Sequence, residues 1–215
     1  YGGQWKLLQY MAKRFFLPLN VVAVPVHDDV QTNSRGTPVE GAEPTSIVLR
    51  AINDTGAPTS IALDVRAVKI GGGDRVVFSG NCAVGPDAAI EVSKLAAADL
   101  AADEFLFFSW RDAKGNLLGE NDYFPKPYKA YELVSPTITS AWSDRDGQPV
   151  LTLSSDKPAL FVTATVDLPG YFSDNAITLL PGRTTELVFT PRHGSTVSST
   201  DLAKSLKVRN LAETF

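Results

Sequence analysis

The chain has 215 residues, 44% of them hydrophobic and 20% charged, with a formal charge of −4. That length serves one large or two ordinary domains, and a chain of this size buries roughly 70% of its unfolded surface without help from disulfides. Lys and Arg against Asp and Glu count 13 to 16 over residues 1–135 and 7 to 8 over 136–215, which excludes a nucleic-acid footprint, and no apolar run approaches a membrane span.

Residues 1–20 carry a helix signal. Trp5, Leu8, Ala12, Phe15 and Phe16 fall on one face at helical spacing, and Pro18 follows as a stop. Lys6, Gln9 and Lys13 lie off that face, on a side that reads as solvated. The wide aromatic face needs a partner. The chain starts at Tyr1, with no initiator Met and no cap residue before the helix, so we expect a piece of a longer protein.

Nearly everything after Pro18 reads as strand. Val21–Val26 is β-rich, and its Pro25 marks an edge strand. Residues 28–46 are loop-like. Ile47–Ile52 is a strand closed by Asn53-Asp-Thr-Gly56. Ile61, Leu63, Val65 and Ala67 alternate with Ala62, Asp64 and Arg66, the pattern of a half-buried strand. Gly71-Gly-Gly-Asp74 separates it from Arg75–Phe78, as in a hairpin. The Ala-rich stretch at 88–104 fits a helix by propensity and equally a strand that ends in a helical turn. Phe105–Trp110 is apolar on both faces, as a central sandwich strand is. Pro125, Pro127 and Pro136 bracket a connection near 126–136.

The second half repeats this style in a smaller unit. Its strand candidates are Thr137–Trp142, Val150–Leu153, Ala159–Val166, Ile177–Leu179, Glu186–Phe189 and Leu206–Val208, with turn chemistry between them. Short strands at regular intervals with Gly/Pro turns describe immunoglobulin-type sandwiches. The expected fold is mainly β: tandem immunoglobulin-like β-sandwiches over 21–130 and 131–215, preceded by one N-terminal α-helix within 1–20. No close internal repeat shows that the two halves share one topology.

No catalytic, cofactor or metal site emerges from the residues. Asp144-Arg-Asp-Gly147 opens like a calcium loop but lacks the further ligands and reads as a hairpin turn. Gly71-Gly-Gly-Asp74 opens no helix and is not a phosphate cradle. Cys82 reads as a small buried apolar residue, and His27 and His193 as loop residues. No Ser sits in a nucleophile elbow. The acidic pairs Asp103/Glu104 and Glu120/Asp122 read as solvated turn residues. Trp110, Tyr123, Trp142 and Tyr171 are the aromatics from which a sugar platform would be built. The strand positions of Trp110 and Trp142 favour the core instead.

Specific words add more. Tyr1-Gly-Gly-Gln-Trp-Lys-Leu-Leu-Gln-Tyr-Met-Ala-Lys-Arg-Phe-Phe-Leu-Pro-Leu19 resembles the last barrel helix of the β-mannosidases of glycoside hydrolase family 2. Ala51-Ile-Asn-Asp54 is similar to the family's strand-ending Asn-Asp. Gly115-Asn-Leu-Leu-Gly-Glu-Asn-Asp-Tyr-Phe124, with Pro127-Tyr-Lys129, resembles the close of its fourth domain. Gly170-Tyr-Phe-Ser-Asp-Asn175 and Leu179-Leu-Pro-Gly182 resemble its C-terminal sandwich. These landmarks span almost the whole chain in the family's order.

The resemblance implies a retaining hydrolase of terminal β-D-mannosides that works through two Glu side chains. Both lie upstream of this segment, and no position here matches either motif. The stretch alone is therefore expected to be inactive, with no cofactor. Its expected partner is the catalytic barrel of the same polypeptide, with Trp5, Leu8, Ala12, Phe15 and Phe16 as the packing candidates. The substrate of the whole enzyme would be a β-mannoside or mannooligosaccharide. The alternatives are a carbohydrate-binding module that docks its parent on mannan, and a related family 2 enzyme acting on β-glucosaminides or N-glycan cores.

Overall fold

The computed structural model describes residues 5–27, 44–192 and 197–214. Two compact units emerge: Phe16–Glu132, and Tyr1–Phe15 together with Leu133–Phe215. The protein is mainly β, with one N-terminal helix, α1 (Leu7–Phe15).

The first unit is a seven-stranded sandwich among its described residues. One sheet runs β1 (Leu19–Val26), β2 (Ser46–Asn53) and β5 (Ala88–Ala96). The other runs β4 (Asp74–Val84), β3 (Thr59–Lys69), β6 (Glu104–Arg111) and β7 (Leu117–Tyr123). All pairs are antiparallel. β1 is an edge, which explains its Pro25: a residue with no N–H is tolerated where one side of the strand has no ladder. Ile61, Leu63, Val65 and Ala67 of β3 point inward to meet Leu106, Phe108 and Trp110 of β6 and Ile47, Leu49 and Ala51 of β2. β6 is buried on both faces because Phe105, on its other face, stacks on Phe124 at 4.5 Å. Tyr128 and Tyr131 close around that pair.

The Ala-rich stretch resolves as strand β5 followed by a single 3-10 turn, Ala97–Asp99. Pairing with β2 overrides its helix propensity. Asn53, at the end of β2, is fully buried. Its Nδ2 donates to Ala57 O and Gly85 O, both at 2.9 Å, and its Oδ1 accepts from Thr55 N at 3.0 Å. One amide thus fixes the turn that follows.

The second unit pairs β11 (Gly170–Phe172), β13 (Thr184–Pro191), β9 (Gln148–Ser155) and β8 (Ile138–Arg145) in one sheet. Its other sheet pairs β12 (Ile177–Leu179), β10 (Ala159–Thr165) and β14 (Lys207–Arg209). β8 and β9 join through a two-residue turn with Asp146 at φ 52° and Gly147 at φ 76°. Asp-Gly favours that geometry. Leu151, Leu153, Val162, Phe172, Leu187 and Phe189 form its core. The strand β11 and a short helix, α2 (Ser199–Ala203), went unread in the sequence. α2 is capped by Ser198, whose hydroxyl accepts from Asp201 N at 3.2 Å.

Among the described residues the two units do not share one strand order. By position within each unit, the first has 1-2-5 and 4-3-6-7, and the second has 5-3-7 and 4-6-2-1.

Candidate functional site

A heavily bonded surface feature of the second unit is the seat of α1. An isolated nine-residue helix is marginal in water, so its stability must come from packing. Tyr10 supplies the anchor, at 2% exposure, and its hydroxyl accepts from Phe172 N–H of β11 at 3.3 Å. Burial raises the pKa of that phenol, so it stays neutral. The Trp5 ring lies 4.8 Å from Tyr171 and 10° from parallel, and 5.3 Å from Tyr10. Lys13 Nζ donates to Ser173 O at 2.9 Å. Arg14 pairs with Asp174 and donates from Nη1 to Asn175 O at 2.9 Å and from Nη2 to Ala176 O at 3.0 Å. Burial pushes the Asp174 carboxyl above its ordinary value, with the Arg14 and Lys13 cations pulling the other way.

The polar side of α1 is solvated as expected, with Lys6, Gln9 and Lys13 all exposed. Lys13 on that side, with its neighbours Tyr10 and Arg14, bonds to the sandwich. Among the apolar candidates Trp5 is stacked on Tyr171 of the unit. Ala12 is half-buried, and Leu8, Phe15 and Phe16 are 71%, 64% and 86% exposed. The apolar residues of the helix and its docked flank are thus largely different residues.

The aromatic candidates do not assemble into one platform. Trp110 is 1% exposed, inside the core of the first unit, where no ligand reaches its face. Tyr123 is half-buried against that same core. Trp142 is half-buried against the core of the second unit, 6.1 Å from Phe172. Tyr171 is covered on one face by Trp5.

The solvated reading of Glu104 is corrected. It is 4% exposed and accepts from Arg75 Nη2 at 2.9 Å and from Ala101 N at 2.9 Å, so it is not a solvated turn residue. Its buried charge is partnered, as such charges must be. The hydrogen bond from Arg75 holds its carboxyl below the usual range.

Cys82 is half-buried on β4, and burial raises its thiol. His27 follows β1 half-buried, and His193 lies outside the described residues. Among the described residues no three His, Cys, Asp or Glu side chains gather as a metal set. A cleft of about 210 Å³ over β3, β4 and β6 is lined by Asp64, Ser79, Asn81, Ser109 and Arg111. Its carboxylate is already engaged, Asp64 with Arg66 at 2.8 Å.

With this architecture in hand, residues 133–214 match the family model described as Ig_mannosidase, an Ig-fold domain. Over those residues the second unit is similar to the immunoglobulin-fold domain that this model describes. The whole chain resembles family 2 β-mannosidases: it is 24% identical over 231 residues to Beta-mannosidase A of Emericella nidulans, across 98% of this chain and 23% of that protein. In fold it is similar to the β-D-mannosidase of Dictyoglomus thermophilum, with a TM-score of 0.75 at 16% identity over 96% of this chain and 23% of the other. It is also similar to the exo-chitosanase CsxA of Amycolatopsis orientalis, with a TM-score of 0.60 at 18% identity over 94% of this chain and 26% of the other. The chain spans about a quarter of the length of each of these proteins. The Tyr171–Ala176 segment that seats α1 lies inside the residues that match this model.

Proposed function

We propose that this chain is the accessory, scaffolding part of a β-mannosidase that hydrolyses terminal, non-reducing β-D-mannose residues, with both catalytic Glu side chains upstream. In this reading α1 is the closing helix of the catalytic barrel, and the two sandwiches, 21–130 and 131–215, follow it. The observation that carries the proposal is the division of α1 between two sides. Tyr10, Lys13 and Arg14 are engaged by the second sandwich, while Leu8, Phe15 and Phe16 stay exposed. Burying each of those large side chains is worth ~1.5–3 kcal/mol, a strong reason for a second body to cover them. The resemblance of the whole chain to about a quarter of a β-mannosidase supports reading that body as the catalytic barrel of the same polypeptide.

Two assays test this. The 215-residue chain incubated with p-nitrophenyl β-D-mannoside should show no turnover above the uncatalysed rate. In the longer enzyme, deletion of the two sandwiches should shorten the half-life at elevated temperature and lower activity. Turnover by the chain alone, or a deletion without effect, rejects the proposal. The likeness to the exo-chitosanase favours a second substrate class, so β-glucosaminide should be assayed in parallel. Calorimetry of the chain with mannooligosaccharides should be silent; saturable binding would favour a carbohydrate-binding module.

A further inference from the structure

The turn Ser173–Ala176, between β11 and β12, is fixed from several directions at once. Ser173 N donates to Val188 O at 2.7 Å and Ser173 Oγ accepts from Val188 N at 3.0 Å, which pins the turn to β13. Asn175 is 4% exposed; its Nδ2 donates to Ala164 O at 2.8 Å and its Oδ1 accepts from Ala164 N at 2.9 Å, which pins the turn to β10. Ala176, held between them, has φ 52°, a region that a residue with a Cβ seldom enters. Backbone strain of this kind persists only where the surroundings impose it, and ligand clamps are among the places where it gathers.

The strained turn presents several oxygens to α1. The carbonyls of Asn175 and Ala176 and the Asp174 carboxylate take the two arms of one guanidinium, and the Ser173 carbonyl takes the Lys13 ammonium. A planar fork of N–H donors suits that set, whereas a single ammonium offers no fixed plane. We propose that Ser173–Ala176 is an arginine receptor, built by the second sandwich to grip the helix that precedes both sandwiches, with Arg14 as its occupant. On the proposed function above, this makes the last domain of the chain the one that holds the closing helix of the catalytic part. Arg14 is then a positioning residue, remote from any chemistry.

The test uses the 215-residue chain and reads amide hydrogen exchange, with no sugar present, so its failure is separate from failure of the mannosidase reading. Hydrogen bonds to charged groups of this kind correspond to roughly a tenfold to hundredfold change in an opening equilibrium. Arg14→Ala should therefore speed exchange of the α1 amides at least about tenfold, and Arg14→Lys by nearly as much, while β2, β3 and β6 keep their protection. Millimolar methylguanidinium should restore protection of Asn175 and Ala176 in Arg14→Ala, and ethylammonium should not. Unchanged α1 exchange in Arg14→Ala overturns the proposal, because the aromatic contacts of Trp5 and Tyr10 would then suffice. Wild-type exchange in Arg14→Lys, or no rescue by methylguanidinium, overturns the guanidinium receptor in favour of simple charge attraction.

Discussion

Gly119 lies under the indole of Trp110, and the two form one structural statement. A Cβ built on Gly119 would stand 2.2 Å from Trp110 Cζ2 and 2.7 Å from Cε2, closer than any real contact. The indole is itself buried in the core and has nowhere to retreat. Gly119→Ala should therefore destabilise the first unit by about 1–3 kcal/mol, the usual cost of overpacking. A shift in the urea midpoint checks it, and an unchanged midpoint would mean that Trp110 moves freely. Gly170 repeats the device in the second unit, where a Cβ would meet Phe189 Cζ at 2.3 Å and the Thr190 carbonyl at 2.6 Å. Because backbone as well as ring must yield there, Gly170→Ala should cost at least as much. Neither glycine announces itself in the sequence. Gly119 sits in a strand and Gly170 follows a Pro, and only the ring placed above each explains why it has no side chain.

At the scale of the element, α1 shows how a face is assigned. Periodicity located the helix; Leu8, Ala12 and Phe15 of its expected apolar face lie on it, while Trp5 and Phe16 flank its ends. Periodicity does not say which neighbour each flank meets. Tyr10 is the single buried residue of the helix, and its hydroxyl gives the Phe172 N–H its acceptor. Tyr10→Phe keeps the ring and orphans that donor, which should cost about 1–3 kcal/mol. Tyr10→Ala also removes the ring and should cost about 3–5 kcal/mol, as for other buried aromatics. Loss of amide protection along α1, graded in that order, is the expected readout, and equal effects would show that the hydrogen bond contributes nothing. Strands were more legible. The alternation over Ile61–Ala67 and the two-sided apolar run Phe105–Trp110 fall in β3 and β6, because side-chain period and sheet burial are the same fact seen twice. The three-residue β11 was too short to show a period at all.

At the scale of the whole molecule, each unit carries its own core, so acid should not affect both in the same way. Glu104 is held below the ordinary carboxylate range, first by Arg75, with burial opposing. A depressed folded value means that the native state binds this proton more weakly than the unfolded chain does. The contribution is fully present above the unfolded value, about 4.3, and is lost as pH falls through the folded one. Glu104→Gln should cost the first unit about 1–3 kcal/mol at neutral pH and flatten its loss of stability below about pH 5. Fluorescence of Trp110, in a chain whose Trp5 and Trp142 are replaced by Phe, follows that unit alone. An acid slope unchanged by the substitution would remove Glu104 from the explanation. The same residue marks a limit of sequence reading. Asp103/Glu104 reads as a solvated acidic pair because nothing local shows that Arg75, 29 residues earlier, folds over it.

What the sequence determined by itself was the mainly β fold, the leading helix, most strands, the Asp-Gly hairpin and the resemblance to β-mannosidases. Each of these follows from local periodicity, turn chemistry or short ordered words. Tertiary structure decided the rest. It chose strand over helix for Ala88–Ala96 by offering β2 as a partner, and it gave the two sandwiches different strand orders. It also brought Lys13 and Arg14 onto a turn 160 residues away, with Lys13 still exposed. Contacts at that separation depend on which surfaces the two elements present once folded, and no local pattern of residues encodes that.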